Sequence, residues 1–141
     1  MMDAGERAAL RVLVRHRADA IAAAAMVRAL VRAAGGSVTQ ASTVATATTE
    51  LAQNIVSHAN GNGEILVWLE GHELVVRARD WGPNAQFEHK PEKSLRGLGQ
   101  GQASVKRMMD RVEQQAVEGG GLEVTARVRI LVHDDRSRAC R

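Results

Sequence analysis

The sequence predicts an α+β two-layer sandwich: a mixed, mostly antiparallel sheet with helices on one face. Two observations carry that reading. Two helical segments follow one another early in the chain with no strand between them, whereas a doubly wound chain would alternate helix and strand. Glu64 to Glu70 and Glu73 to Arg79 then form two β-rich runs around Gly71-His72, the signal of a hairpin and so of an antiparallel pair.

The elements follow in order. Ala8 to His16 sets Leu10, Val12 and Val14 against Arg11, Leu13 and Arg15, a strand alternation. Asp19 is placed as the N-cap of a helix running to Ala34, which Gly35-Gly36 ends. A second helix is predicted from about Ser37–Thr39 to His58. Val44, Ala47, Thr48, Leu51 and Ile55 make its buried stripe. Its many threonines lower intrinsic helix propensity, so packing must support it. Asn60-Gly61-Asn62-Gly63 is a turn before the hairpin, and Asp80 closes the second hairpin strand. Pro83 to Arg96 is polar and aperiodic and reads as a mobile loop. After a glycine cluster, Val105, Met108, Met109 and Val112 recur at i, i+3, i+4 and i+7, which predicts a third helix. Gly119-Gly120-Gly121 turns into a last strand, Leu122 to Val132.

At 141 residues the chain suits one domain. Its expected organisation is a flexible leader over 1–7, one domain over 8–132 and a charged tail over 133–141. Hydrophobic residues make up 45%, which argues against disorder, but aromatics are only 2%, so the core must be aliphatic. The formal charge is +3. Its arginines are spread along the chain, with a cluster at Arg136, Arg138 and Arg141, and no stretch interleaves aromatic with basic residues as single-strand nucleic-acid binders do. The charge reads as solubility and attraction for phosphates or acidic partners. Cys140, the only cysteine, leaves no internal disulfide and fits a reducing cytoplasm. The apolar run Ala20 to Val27 is short, poor in leucine and followed by Arg28 and Arg32. It reads as part of an amphipathic helix rather than a targeting signal, and no stretch approaches the ~20 apolar residues a membrane span needs.

Three segments carry chemistry. Glu50, Asn54 and His58 are four residues apart and project together from the second helix. An asparagine amide oxygen is a hard ligand suited to Mg²⁺, and a carboxylate one turn away can take a proton from an attacking hydroxyl. A solvated polar face would show the same spacing. Asp80 before Trp81-Gly82 offers an acceptor for the exocyclic amine of a purine, with Gly82 permitting close approach; a plain strand-ending turn is the alternative. Gly97-Leu98-Gly99-Gln100-Gly101 opens a helix and can present backbone N–H groups to phosphate, or serve as a hinge. It lacks the Gly-Lys-Ser/Thr ending of a P-loop and does not directly follow a strand, as a dinucleotide fingerprint would. Lys90, Lys93, Ser94 and Arg96 lie in the loop before those glycines.

In this order the segments resemble the GHKL ATPase superfamily, over about residues 8 to 131. Glu50-Leu51-Ala52-Gln53-Asn54-Ile55 resembles its N box, Asp80-Trp81-Gly82-Pro83 its first glycine box, and Gly97 to Gly101 with Val105 to Asp110 its second. The wording is most similar to bacterial anti-sigma and switch-protein serine kinases, nearest the RsbT type. The resemblance implies a Bergerat-type fold binding ATP and Mg²⁺. Glu50 would be the general base and Asn54 the Mg²⁺ ligand. His58, Asp80, Gly82 and Asn84 would belong to the nucleotide site, with Asp80 on the adenine amine. Gly97, Leu98, Gly99, Gln100 and Gly101 would bind phosphates at the root of a lid carrying Lys90, Lys93, Ser94 and Arg96. It implies a cytoplasmic serine/threonine kinase acting on a STAS-domain antagonist, with a PP2C-type phosphatase regulator or a sigma factor as further partner. A nucleotide-weak binding module of the same fold, or an anti-sigma factor, stands as the alternative. The chain departs from the pattern at Asn84, where a second glycine is usual, at Gln102, where an apolar residue is usual, and at Gly121-Leu122, where the family has Gly-Thr.

Overall fold

In the computed structural model the described residues are 8–59, 61–81 and 103–132. Their strands are β1 (Leu10–Val14), β2 (Gly63–Glu70), β3 (Glu73–Asp80), β4 (Arg111–Ala116) and β5 (Leu122–Arg129). Two helices, α1 (Arg17–Ala33) and α2 (Val38–His58), lie between β1 and β2. The strands form one sheet in the order β1-β2-β3-β5-β4, and every pairing is antiparallel. This is the α+β sandwich the sequence predicts.

α1 buries Ala20, Ala23, Ala24, Val27 and Val31. A stripe so rich in alanine lets neighbouring backbones approach closely, which suits a core with few large side chains. Its N-cap is His16, not Asp19. Asp19 sits at the third helical position and reaches back, its Oδ2 accepting the backbone N–H groups of Arg15 and His16 at 2.8 and 3.0 Å. The sequence reading took the acidic residue for the cap because Asp favours both positions; reaching back from the third position satisfies amides the helix itself cannot. The helix ends in paired bonds, Gly36 N–H to the Val31 carbonyl and Gly35 N–H to that of Arg32, a Schellman closure.

The two backbone bonds, Arg15 first and His16 second, hold the Asp19 carboxyl below its ordinary value. A lowered folded pKa contributes stability that is complete above the unfolded value and is lost as pH falls through the folded one. Thermal melts followed by far-UV circular dichroism should therefore lose stability as pH falls below about 4. Asp19→Asn should lack this component, so its loss on acidification should be the smaller.

α2 starts where expected. Ser37 is its N-cap, and the hydroxyl accepts the Gln40 N–H at 3.0 Å. Thr43, Thr46, Thr48 and Thr49 each donate their hydroxyl to the carbonyl four residues back. That satisfies the buried Thr48 hydroxyl without a distant partner. Val44, Ala47, Thr48, Leu51 and Ile55 are all buried, as their spacing predicts.

The helices cover one face of the sheet. Ile65 and Val67 of β2, Leu74, Val76 and Ala78 of β3, and Val124, Ala126 and Val128 of β5 join the helices in the main core. On the other face Leu66, Trp68 and Val75 form a second buried cluster, and the Arg77 guanidinium lies 5.1 Å from the Trp68 ring centroid. Beside them Glu123 takes ion pairs from Arg77 and Arg79, which compensates its burial.

The third helix departs from the expectation. Only 103–108 is helical among the described residues there, and Val112 lies in β4 opposite Ala126. Val105 and Met109 do enter the core, with Met108 packed against it. Asp110 diverts the chain: its N–H donates to the Arg127 carbonyl and its carboxylate accepts the Arg129 N–H, both at 2.8 Å. The polar residues of β4 carry no strand signal of their own, so pairing with β5 overrides local preference. The last strand ends at Arg129 rather than Val132. Beyond it, Ile130 N–H bonds the His72 carbonyl and Leu131 N–H the Gln40 side chain.

Candidate functional site

Leu51 and Ile55 anchor α2 in the core and thereby aim the residues beside them. Glu50, Asn54 and His58 are each half-buried along that flank. The Asn54 Nδ2 is fully buried and, among the described residues, has no hydrogen-bond partner. Leaving such a donor unpaired costs about 1–3 kcal/mol, so the nitrogen calls for an acceptor, from water or from a ligand.

Asp80 ends β3 and is only 7% exposed. Its Oδ1 accepts the backbone N–H of Leu122 at 3.1 Å. That contact exists because β5 inserts between β3 and β4 and brings the start of β5 beside the end of β3. Gly121 makes the approach possible. Its φ is 115°, and a Cβ there would lie 2.2 Å from the Asp80 carbonyl oxygen, so both conformation and space demand glycine. The backbone N–H of Leu122 thus holds Asp80 at the place where the family resemblance leads one to look for a threonine hydroxyl. Thr125 serves elsewhere, accepting the Arg77 Nε–H on the opposite sheet face.

Asn54 and Asp80 line one cleft, together with Leu51, Ile55, Ala78, Leu122 and Val124. Its cavity volume of about 20 Å³ holds one water. Its lining of five apolar side chains beside one carboxylate gives an apolar wall with an acceptor at its edge, which can meet the edge of a flat ring bearing a hydrogen-bond donor. Glu50 and His58 stand one helical turn to either side of Asn54 and are not among the lining residues. Trp81 follows Asp80 and is 46% exposed, and its backbone N–H donates to the Asn62 carbonyl at 2.8 Å. Gly119-Gly120-Gly121, the run of three glycines before β5, is the feature of the chain that marks this close backbone approach.

Gly82, Asn84, Lys90, Lys93, Ser94, Arg96, Gly97, Leu98, Gly99, Gln100 and Gly101 lie outside the described residues, as does Gln102. Among the described residues no group of three or more His, Cys, Asp or Glu side chains could hold a metal ion. A site of Mg²⁺-nucleotide type needs no such cage, since phosphates and water complete the metal's shell around one or two protein oxygens. Asn54 carries one hard oxygen of that kind, Oδ1, whereas its Nδ2 is a donor that would face an acceptor rather than the metal. Among the described residues, no helix is long and apolar enough to cross a membrane.

No curated protein matches this chain. Residues 14–128 match the family described as the histidine kinase-like ATPase domain. The matched span runs from the last residue of β1 to the penultimate residue of β5 and so takes in both helices, Asn54, Asp80 and the cleft between them. Such domains are GHKL-type and bind ATP, which agrees with the polar groups the cleft presents. The chain belongs to the histidine kinase-like ATPase domain family.

Proposed function

We propose that the protein is an ATP-dependent serine/threonine protein kinase of a bacterial partner-switching module. Its substrate would be a serine or threonine of a STAS-domain antagonist, and phosphorylation would regulate sigma-factor or PP2C-type phosphatase signalling. The observation that carries the reading is the shared cleft of a buried carboxylate, Asp80, and the Asn54 side chain, whose nitrogen has no partner among the described residues. Asp80 receives the adenine amine on the carboxylate that Leu122 N–H steadies. The apolar residues Leu51, Ile55, Ala78 and Val124 take the ring faces and exclude water from them. Asn54 Oδ1 would hold Mg²⁺, which when bound supplies charge neutralisation at the phosphates. Glu50, one turn away and outside the base cleft, accepts the proton of the substrate hydroxyl as it attacks. Positioning and electrostatics account for most of the acceleration in such phosphoryl transfers. The single cysteine fits action in the cytoplasm.

Titration calorimetry with ADP and Mg²⁺ tests the reading, followed by incubation of ATP with candidate STAS-domain proteins. Saturable binding and a phosphoserine or phosphothreonine product are the expected results. A second reading is favoured by one observation: the Leu122 side chain lines the cleft where the family resemblance implies a hydroxyl. On that reading the chain is a nucleotide-weak module that acts by protein contact, on a STAS protein or on a sigma factor directly. Tight STAS binding with no heat from millimolar nucleotide would select it.

A further inference from the structure

We infer that Gly63 is a positioning residue that sets the separation between the base-reading Asp80 and the metal-binding Asn54, and so governs discrimination for adenine. The inference rests on the nucleotide reading of the cleft. Gly63 opens β2 and is the register partner of Asp80 on β3. A Cβ at this position would lie 2.5 Å from the Arg79 carbonyl oxygen, 2.6 Å from Cγ2 of Ile55 and 3.2 Å from the Asp80 Cα. The three contacts point to two different bodies. Arg79 and Asp80 belong to the strand that carries the carboxylate, and Ile55 adjoins Asn54 on the helix that carries the amide. One hydrogen atom on Gly63 therefore stands between the Ile55 side chain of the helix and the backbone of the strand. The backbone cannot yield cheaply, because a carbonyl oxygen has no rotamer to change. Any side chain here must push the end of β3 away from β2, α2 away from the sheet, or both.

Glycine is an unfavourable strand residue and needs a local reason where it appears inside a strand. Gly71 makes the contrast: at the hairpin tip, a Cβ would meet nothing within 4 Å. Gly121 presses on Asp80 from the β5 side, with a Cβ position 3.3 Å from Asp80 Oδ1. Asp80 is thus flanked by Gly63 at the start of β2 and by Gly121 just before β5, and Gly63 also abuts Ile55 of α2. A shift there changes how far the acceptor for the base sits from the ligand for the metal. Base preference is then the property to read, because general loosening weakens all nucleotides alike.

The experiment compares ADP with inosine diphosphate, which carries a carbonyl in place of the exocyclic amine, by calorimetry with Mg²⁺. The wild-type chain should prefer ADP. Gly63→Ala should lower ADP affinity about tenfold, the worth of one charge-assisted hydrogen bond, and leave inosine diphosphate unchanged, so that the preference collapses. Gly71→Ala, strained at its own turn but remote from the site, should keep the preference. Should Gly63→Ala fail to fold, Gly63→Ala/Ile55→Ala removes the side-chain collision and keeps the one with the Arg79 carbonyl; because Ile55 lines the cleft, it is compared with Ile55→Ala alone, which should weaken both nucleotides alike, and the added Gly63→Ala should then cut the ADP preference about tenfold. A folded variant at position 63 with the wild-type ADP preference intact would overturn the inference. A wild-type chain that binds neither nucleotide is a different result, and sinks the nucleotide reading itself.

Discussion

Glu50→Ala should lower phosphoryl transfer to a STAS-domain protein by about 10²–10⁴-fold, the usual contribution of a positioned general base. Affinity for Mg²⁺-ADP should stay at the wild-type level. The separation of the two effects follows from placement. Glu50 is half-buried, one turn from Asn54, and does not line the cleft proposed for the adenine ring. Truncating it removes no contact to the ring and leaves no buried partner unpaired. Its effect on folding should fall within about 0.5 kcal/mol, as for other surface sites without special partners. Initial rates of phosphate transfer, paired with calorimetry on the same preparation, check both halves. Undiminished labelling in the variant would remove the general-base assignment. Lost nucleotide binding would move Glu50 into the binding site instead.

Asp80→Asn should weaken ADP binding by about 100-fold, which corresponds to about 2.7 kcal/mol. The substitution keeps volume, and an amide oxygen can still accept the Leu122 N–H that now reaches Oδ1 at 3.1 Å. That retained bond fixes which end of the amide faces outward: the NH₂ then points at the exocyclic amine, donor against donor. A site built around a hydrogen bond loses far more from a mismatched partner than from a lost apolar contact. Equal affinity of wild type and variant would mean that the base does not reach Asp80.

Local pattern made much of this molecule legible. The 3.6-residue spacing of Val44, Leu51 and Ile55 set the buried stripe of α2, and with it the flank on which Glu50, Asn54 and His58 stand. The alternation around Gly71-His72 placed the β2–β3 hairpin and set Asp80 at its end. In both cases neighbouring residues decide the outcome, because periodicity records which side of an element is buried. Val112 shows where that logic runs out. It satisfied the helical spacing of Val105, Met108 and Met109, yet an apolar residue at that spacing also fits an alternating strand, and the bonds from Asp110 to β5 decided between them.

The sequence by itself determined the fold class, the two helices, the central hairpin and the residue types able to meet a nucleotide. Only the tertiary structure decided the insertion of β5 between β3 and β4, the Leu122 amide on Asp80, the Asn54 amide facing the same cleft, and the collision that forbids a side chain at position 63. Each of these joins residues far apart along the chain. Such contacts depend on register and close approach between backbones, which no local period encodes, and which glycine reveals only once its neighbours are in place.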